Sequence, residues 1–227
     1  MAKHIGVYLE IGNKKVFAGG LEWPGWCRSG KTEEDALETL LDYGPRYVKA
    51  MGSAARGLTP PTKVSDFKVT ERLKGDTTTD FGAPGKIPIF DEEEIDSEEA
   101  KRLTSFIKAA WKKLDKTAED AKGIALRKGP RGGGREVDAI VEHVLEGEMS
   151  YLYRLGKKFK SSEKDIAAQM STERKTFLGT LAIRARGEEA EPAGRRTAKL
   201  WSARYAVRRA AWHILDHAWE IEDRREA

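Results

Sequence analysis

Three of the four histidines in this chain of 227 residues stand where they can converge: His143, His213 and His217. His213 and His217 are four apart in a stretch with helical spacing, which sets both imidazoles on one face, their Cβ atoms about 5–6 Å apart. That spacing suits two-point chelation of one ion, as in helical HxxxH sites. His143 lies among Ile140, Val141 and Val144, on the inward face of another helical segment. Three neutral imidazoles with no fourth protein ligand leave coordination positions open to water or substrate, the arrangement of catalytic rather than structural sites. Zn²⁺ fits such a set, and Ni²⁺ and Fe²⁺ are alternatives, since imidazole suits all three. The plainer readings are a hydrogen-bonded core residue for His143 and an exposed, unrelated pair for the other two.

Carboxylates fall beside these ligands. Glu220 is three residues beyond His217 and seven beyond His213, so it shares their face, and Glu146 is one turn after His143. Either can hold an imidazole tautomer or move a proton, which makes Glu220 and Glu146 the candidate catalytic groups. Asp216 is close by and reads better as a solvated or salt-bridged charge. Arg204, Arg208 and Arg209 are available to pair with these acids.

The elements that must position these residues come in two grammars. Over residues 1–75, Ile5, Val7 and Leu9 alternate with Gly6, Tyr8 and Glu10, and Val16-Phe17-Ala18 follows the turn residues Gly12-Asn13, which predicts a hairpin. A helix starts at Thr32, where Thr32-Glu33-Glu34-Asp35 fits a capping box, and carries Ala36, Leu37, Leu40, Leu41 and Tyr47 on its apolar face. Phe67-Lys68-Val69-Thr70 adds a last strand. Residues 76–94 have no period and read as a linker or irregular wrap, with Asp91-Glu92-Glu93-Glu94 as a solvated lead-in.

Residues 95–227 read as four amphipathic helices. Their apolar faces are Leu103, Phe106, Ile107, Ala110, Trp111 and Leu114; Val137, Ile140, Val141, Val144, Leu145, Tyr151 and Leu152; Ile166, Met170, Phe177, Leu178 and Leu181; and, from about Thr197 to Asp223, Trp201, Tyr205, Ala211, Trp212, Leu215 and Trp219. Breaks fall at Gly129–Gly134 and around Pro192-Ala193-Gly194. The fold class is α+β: a small β-β-β-α-β unit followed by a four-helix bundle.

The stretch Arg204-Tyr205-Ala206-Val207-Arg208-Arg209-Ala210-Ala211-Trp212-His213-Ile214-Leu215-Asp216-His217-Ala218-Trp219-Glu220 resembles the last helix of the DinB-like superfamily, which includes the YfiT-like metal-dependent hydrolases. The resemblance covers about residues 95–225. It implies a four-helix bundle that holds a divalent metal by one His of the second helix and HxxxH of the fourth, matching His143, His213 and His217 in order. It also implies activation of a water or of a low-molecular-weight thiol such as mycothiol or bacillithiol, in a thiol-dependent transferase, isomerase or hydrolase acting on a small-molecule substrate. A homodimer follows from the same resemblance and from the aromatics of the fourth helix.

Gly25-Trp26-Cys27-Arg28-Ser29-Gly30-Lys31-Thr32 satisfies GxxxxGK[ST] before a helix, but its context is wrong for a phosphate loop. A hairpin precedes it, bulky Trp26, Cys27 and Arg28 fill the loop, and no βα alternation follows. The run Val7–Tyr47, with Leu21-Glu22-Trp23-Pro24-Gly25-Trp26 before Gly30-Lys31-Thr32-Glu33-Glu34-Asp35-Ala36-Leu37, resembles a HicB-type domain over about residues 4–70. That resemblance implies an interaction or regulatory module with a protein partner. Cys27 reads as a packed thiol rather than a reactive one, His4 as solvated, and the run Arg127–Arg135 as a basic loop able to clamp an anion at a site mouth.

Composition narrows the partners. Lys and Arg number 41 against 37 Asp and Glu, a formal +4. Residues 1–90 carry 13 against 11 and residues 91–227 carry 28 against 26, so no region has the basic field of a nucleic-acid binder. No apolar run approaches the roughly 20 residues of a membrane span. MAKHIGVYLE has no apolar leader core, and one cysteine excludes an internal disulfide, so a cytoplasmic location is expected. Two rival readings remain: a protein-interaction module with a structural metal, and a structural protein with an empty site. A fourth protein ligand such as Glu220 would mark the first rival, and His143 bonded away from the pair would mark the second.

Overall fold

The computed structural model describes residues 4–128, 134–190 and 199–225. Strands β1 (Ile5–Ile11) and β2 (Val16–Gly20) form the expected antiparallel hairpin, with Ile11 opposite Val16 and Val7 opposite Gly20. β3 (Cys27–Gly30) pairs antiparallel with β2, and β4 (Phe67–Lys74) runs parallel to β1, giving the order β3-β2-β1-β4. Period-2 alternation splits the sheet between two environments. Val7, Leu9, Val16 and Ala18 join the main core with Ala36 and Leu40, whereas Phe17 and Cys27 pack on Trp212.

The third strand begins only at Cys27, because the preceding residues are used in a turn anchored by Trp26. Its ring is fully buried, donates Nε1–H to the Leu40 carbonyl at 2.9 Å, and stacks on Tyr47 at 5.7 Å. The single helix expected from Thr32 to Tyr47 is two: α1 (Glu33–Asp42) and α2 (Gly44–Met51). Pro45, which has no N–H to continue an α-helical ladder, opens α2 instead. The capping box is present, with the Thr32 hydroxyl accepting from the Asp35 N–H at 3.1 Å and the Asp35 carboxylate accepting from the Thr32 N–H. The chain order is therefore β-β-β-α-α-β.

Residues 75–95 hold two short helices, α3 (Thr77–Phe81) and α4 (Ile89–Glu92), wrapped over the end of the sheet. Buried Glu10 fixes the wrap by accepting from the Thr79 hydroxyl and from the Gly85 and Lys86 amides at 2.5–2.9 Å. Asp91 corrects the reading of a solvated acidic lead-in: it is fully buried against Arg208, while Glu92, Glu93 and Glu94 are exposed. Arg208 also donates to the carbonyls of Gly20 and Leu21, so one guanidinium ties sheet, wrap and bundle together.

The bundle comprises α5 (Ser97–Asp120), α6 (Val137–Leu155), α7 (Ile166–Ala185) and α8 (Ala203–Arg225). The apolar stripes expected for α5 and α6 are buried almost throughout, Val141 being half-buried. The start expected for α8 near Thr197 and the break at Pro192–Gly194 lie outside the described residues. α8 is buried nearly all round because the bundle lies on one side and the sheet on the other. Gly25 allows that approach: a Cβ there would meet Ala211 and Leu215 at 3.0 Å, and its φ of +90° suits glycine. One continuous core therefore spans sheet and bundle. Among the described residues no helix is long and apolar enough to cross a membrane.

Candidate metal centre

α6 and α8 run antiparallel and face each other through two stripes of four-residue spacing. His143, Gly147 and Tyr151 on α6 lie opposite His217, His213 and Arg209 on α8. Helical periodicity alone sets the members of each stripe on one face. His143 Nε2 is 3.4 Å from His213 Nε2, and the three ring centroids lie 4.7–5.1 Å apart. One ligand atom from each imidazole lies within 4.8 Å of the others.

The residues fit a divalent ion. Metal–nitrogen bonds of about 2.0–2.1 Å in a tetrahedral set require nitrogens about 3.3 Å apart, close to the His143–His213 separation. His217 is oriented by Glu220, whose Oε2 lies 2.8 Å from Nδ1, leaving Nε2 for the centre. Glu220 Oε1 accepts from Arg224 at 2.9 Å, and Arg224 donates in turn to the carbonyls of Arg127 and Arg135. Hydrogen bonding to His217 holds the Glu220 carboxyl below its ordinary range. Burial pushes His213 down to about 2, with the charges of His217 and Arg209 adding to it, and lowers His143 in the same direction. Both imidazoles are thereby kept neutral, the form that carries a lone pair for a metal.

Gly147 makes room for this arrangement. A Cβ there would lie 2.6 Å from His213 Cε1 and 2.8 Å from its Nδ1, so only glycine leaves the ring its place. The sequence carried a signal for it, since a helix-interior glycine costs about 1 kcal/mol against alanine and asks for a reason. Arg224 gave no comparable signal, because its role rests on contact with a distant loop.

The other candidate residues fall elsewhere. Glu146 is exposed; its charge is felt at His143, and it makes no hydrogen bond to an imidazole. Asp216 pairs with Arg28 of β3 at 2.9 Å, away from the imidazoles. Arg204 and Arg208 do not serve the site acids. Arg204 binds the Phe90 and Glu93 carbonyls and Glu99, and Arg208 binds Asp91. In the basic loop, Gly129–Gly133 lie outside the described residues, and Arg127 and Arg135 act through their backbone carbonyls on Arg224. His4 is exposed, as expected.

Two further motifs are structural. The GxxxxGK[ST] match is no phosphate cradle, because Cys27–Gly30 is paired strand and the Thr32 hydroxyl caps α1. Cys27 is buried and its thiol is pushed up to about 12 by desolvation, which makes it an inert packed residue. Sequence reasoning also missed two fully buried carboxyls, Glu148 on α6 and Glu173 on α7. Glu148 accepts from the Trp111 indole, and three of the pair's four oxygens have no partner among the described residues.

No family model, no curated protein and no solved structure matches this chain.

Proposed function

We propose that the protein is a divalent-metal-dependent enzyme that activates a water or a small thiol at His143, His213 and His217. The observation that carries the reading is the convergence of these three imidazoles, from two helices, on one point. Glu220 supports an open centre: its carboxylate is committed to His217 and Arg224 and does not act as a fourth ligand. His143 supports an occupied one, since it turns toward His213 and His217 rather than away.

A bound divalent ion would supply Lewis acidity, lowering the pKa of a water or thiol so that a nucleophile exists at neutral pH. The chain's residues do the rest. His213 and His143 stay neutral through burial, and His217 is held in one tautomer by Glu220. Glu220 is placed to take up or return a proton at His217 Nδ1, and exposed Glu146 to exchange one with solvent near His143.

The helix order, the ligand positions and the α+β architecture support membership in the DinB-like superfamily, with a HicB-like N-terminal unit serving a protein partner. Zn²⁺ is the favoured ion, the chemistry is thiol transfer, isomerisation or hydrolysis on a small molecule, and the assembly is a cytoplasmic homodimer.

The test is metal content by elemental mass spectrometry on untagged protein beside His143→Ala, with Zn²⁺ or Ni²⁺ added back to each. The expected result is about one equivalent in the parent and loss in the variant. Metal binding indifferent to His143, or none after add-back, would turn the reading toward a binding module.

A further inference from the structure

Arg209 stands one turn before His213 on α8, and its guanidinium lies between two rings, 5.2 Å from the centroid of Tyr151 and 4.5 Å from that of Trp212. Its Nη1 is buried and has no hydrogen-bond partner among the described residues. The neighbouring arginines differ: Arg204 and Arg208 are ion-paired to Glu99 and Asp91, whereas no ion pair forms to Arg209 among the described residues. Arg209 is half-buried and is hydrogen-bonded to the Tyr151 side chain, and an acceptor reaching Nη1 would recover the roughly 1–3 kcal/mol that an unpaired buried N–H costs.

Arg209 belongs to the surroundings of the three imidazoles. Tyr151, under its guanidinium, has its ring 5.6 Å from that of His213. Trp212, on the other side of the guanidinium, has its ring 6.2 Å from that of His213. The nearby carboxylate of Glu220 is already engaged by His217 and Arg224. A ligand entering here meets unneutralised positive charge about one helical turn, roughly 6 Å, from the imidazoles.

We propose that the ligand of the three-histidine centre is an anion, and that Arg209, backed by Tyr151, receives its carboxylate or phosphate-like group while a donor atom about one turn away faces the imidazoles. This rests on the metal reading above and adds the substrate class: small anionic molecules rather than neutral or cationic ones.

The test uses the full chain loaded with Co²⁺, whose visible absorption reports occupancy and whose thiolate-to-cobalt band reports a thiol arriving at the ion. Two probes are titrated, 3-mercaptopropionate and neutral 2-mercaptoethanol. The anionic probe is expected to bind about tenfold or more tightly than the neutral one, the value of one charge-assisted contact. Arg209→Met should bring the two within about threefold, and Arg209→Lys should keep part of the preference, which guards against a local collapse in the methionine variant. Equal affinities in the parent, or a preference that survives Arg209→Met, overturn the anion subsite and leave the metal centre standing. No cobalt absorption in the parent overturns the metal reading on which both rest.

Discussion

Gly147 of α6 and His213 of α8 occupy one space: the imidazole sits where any side chain at 147 would begin. Gly147→Ala therefore sets two effects against each other. The helix gains up to about 1 kcal/mol of propensity, while the new methyl drives the buried ring off its position. The expected outcome is a folded protein with a melting temperature within a few degrees of the parent and metal affinity at least about tenfold weaker, the scale of a disturbed ligand shell. Calorimetric metal titration beside thermal unfolding checks it. Unchanged affinity would show that His213 does not ligate.

Glu220 is bonded to His217, its Oε2 2.8 Å from Nδ1, and would act on a metal only through that imidazole. Glu220→Ala should weaken metal binding about 10–100-fold, the usual cost of losing a carboxylate behind a ligating imidazole. Glu220→Gln keeps an acceptor for Nδ1–H and should lose less. If Glu220→Ala and Glu220→Gln bound metal equally well, tautomer control by this residue would be excluded.

The convergence of the three histidines was legible because each rests on local spacing. His213 and His217 share a face through helical repetition, and His143 lies in an apolar stripe that must point inward. The burial of Asp91 was not legible, because its partner Arg208 lies 117 residues away and a run of four acids ordinarily stays in water. Arg224 and the Glu148–Glu173 pair were hidden for the same reason: their roles depend on which helices meet, which one-dimensional periodicity does not contain. Gly147 was legible only as a costly helix-interior glycine, not as the residue that faces His213. The split between α1 and α2 was legible at Pro45 and was outweighed by the apolar spacing on either side of it.

The metal-free protein should lose stability in mild acid through His213. Its pKa is depressed in the folded state to about 2, against about 6.5 for a free imidazole. Below about pH 6.5 the unfolded chain binds a proton that the folded chain refuses, so unfolding becomes easier as pH falls, by up to about 1.4 kcal/mol per pH unit. Urea melts of chelator-treated protein from pH 7 to pH 5 should show this slope, and His213→Asn should flatten it.

Glu148 and Glu173 carry the opposite sign. Burial raises both carboxyls above their ordinary range, so the folded chain holds protons that the unfolded chain gives up above about pH 4.3. Their contribution is favourable below that point and is lost as pH rises. Glu173→Gln, which fixes the neutral form in nearly the same shape, should raise stability by about 1 kcal/mol or more at pH 8 and change little at pH 4.5. Urea midpoints at the two pH values decide this, and equal effects at both would mean that Glu173 is not protonated in the folded protein.

Arg208 and Asp91 form the buried pair that joins wrap, sheet and bundle, so removing one partner strands the other in a region without water. Asp91→Ala should cost about 3–5 kcal/mol, well above a typical surface substitution. Arg208 would keep only the Gly20 and Leu21 carbonyls as acceptors, and the Ile89–Glu92 helix would lose one of its two arginine anchors to α8, Arg204 still holding the Phe90 and Glu93 carbonyls. Hydrogen exchange should then show faster opening at residues 89–92, while amides of β1 and β2 keep their protection order. Loss confined to global stability, with no preferential opening there, would assign the pair to bundle packing alone.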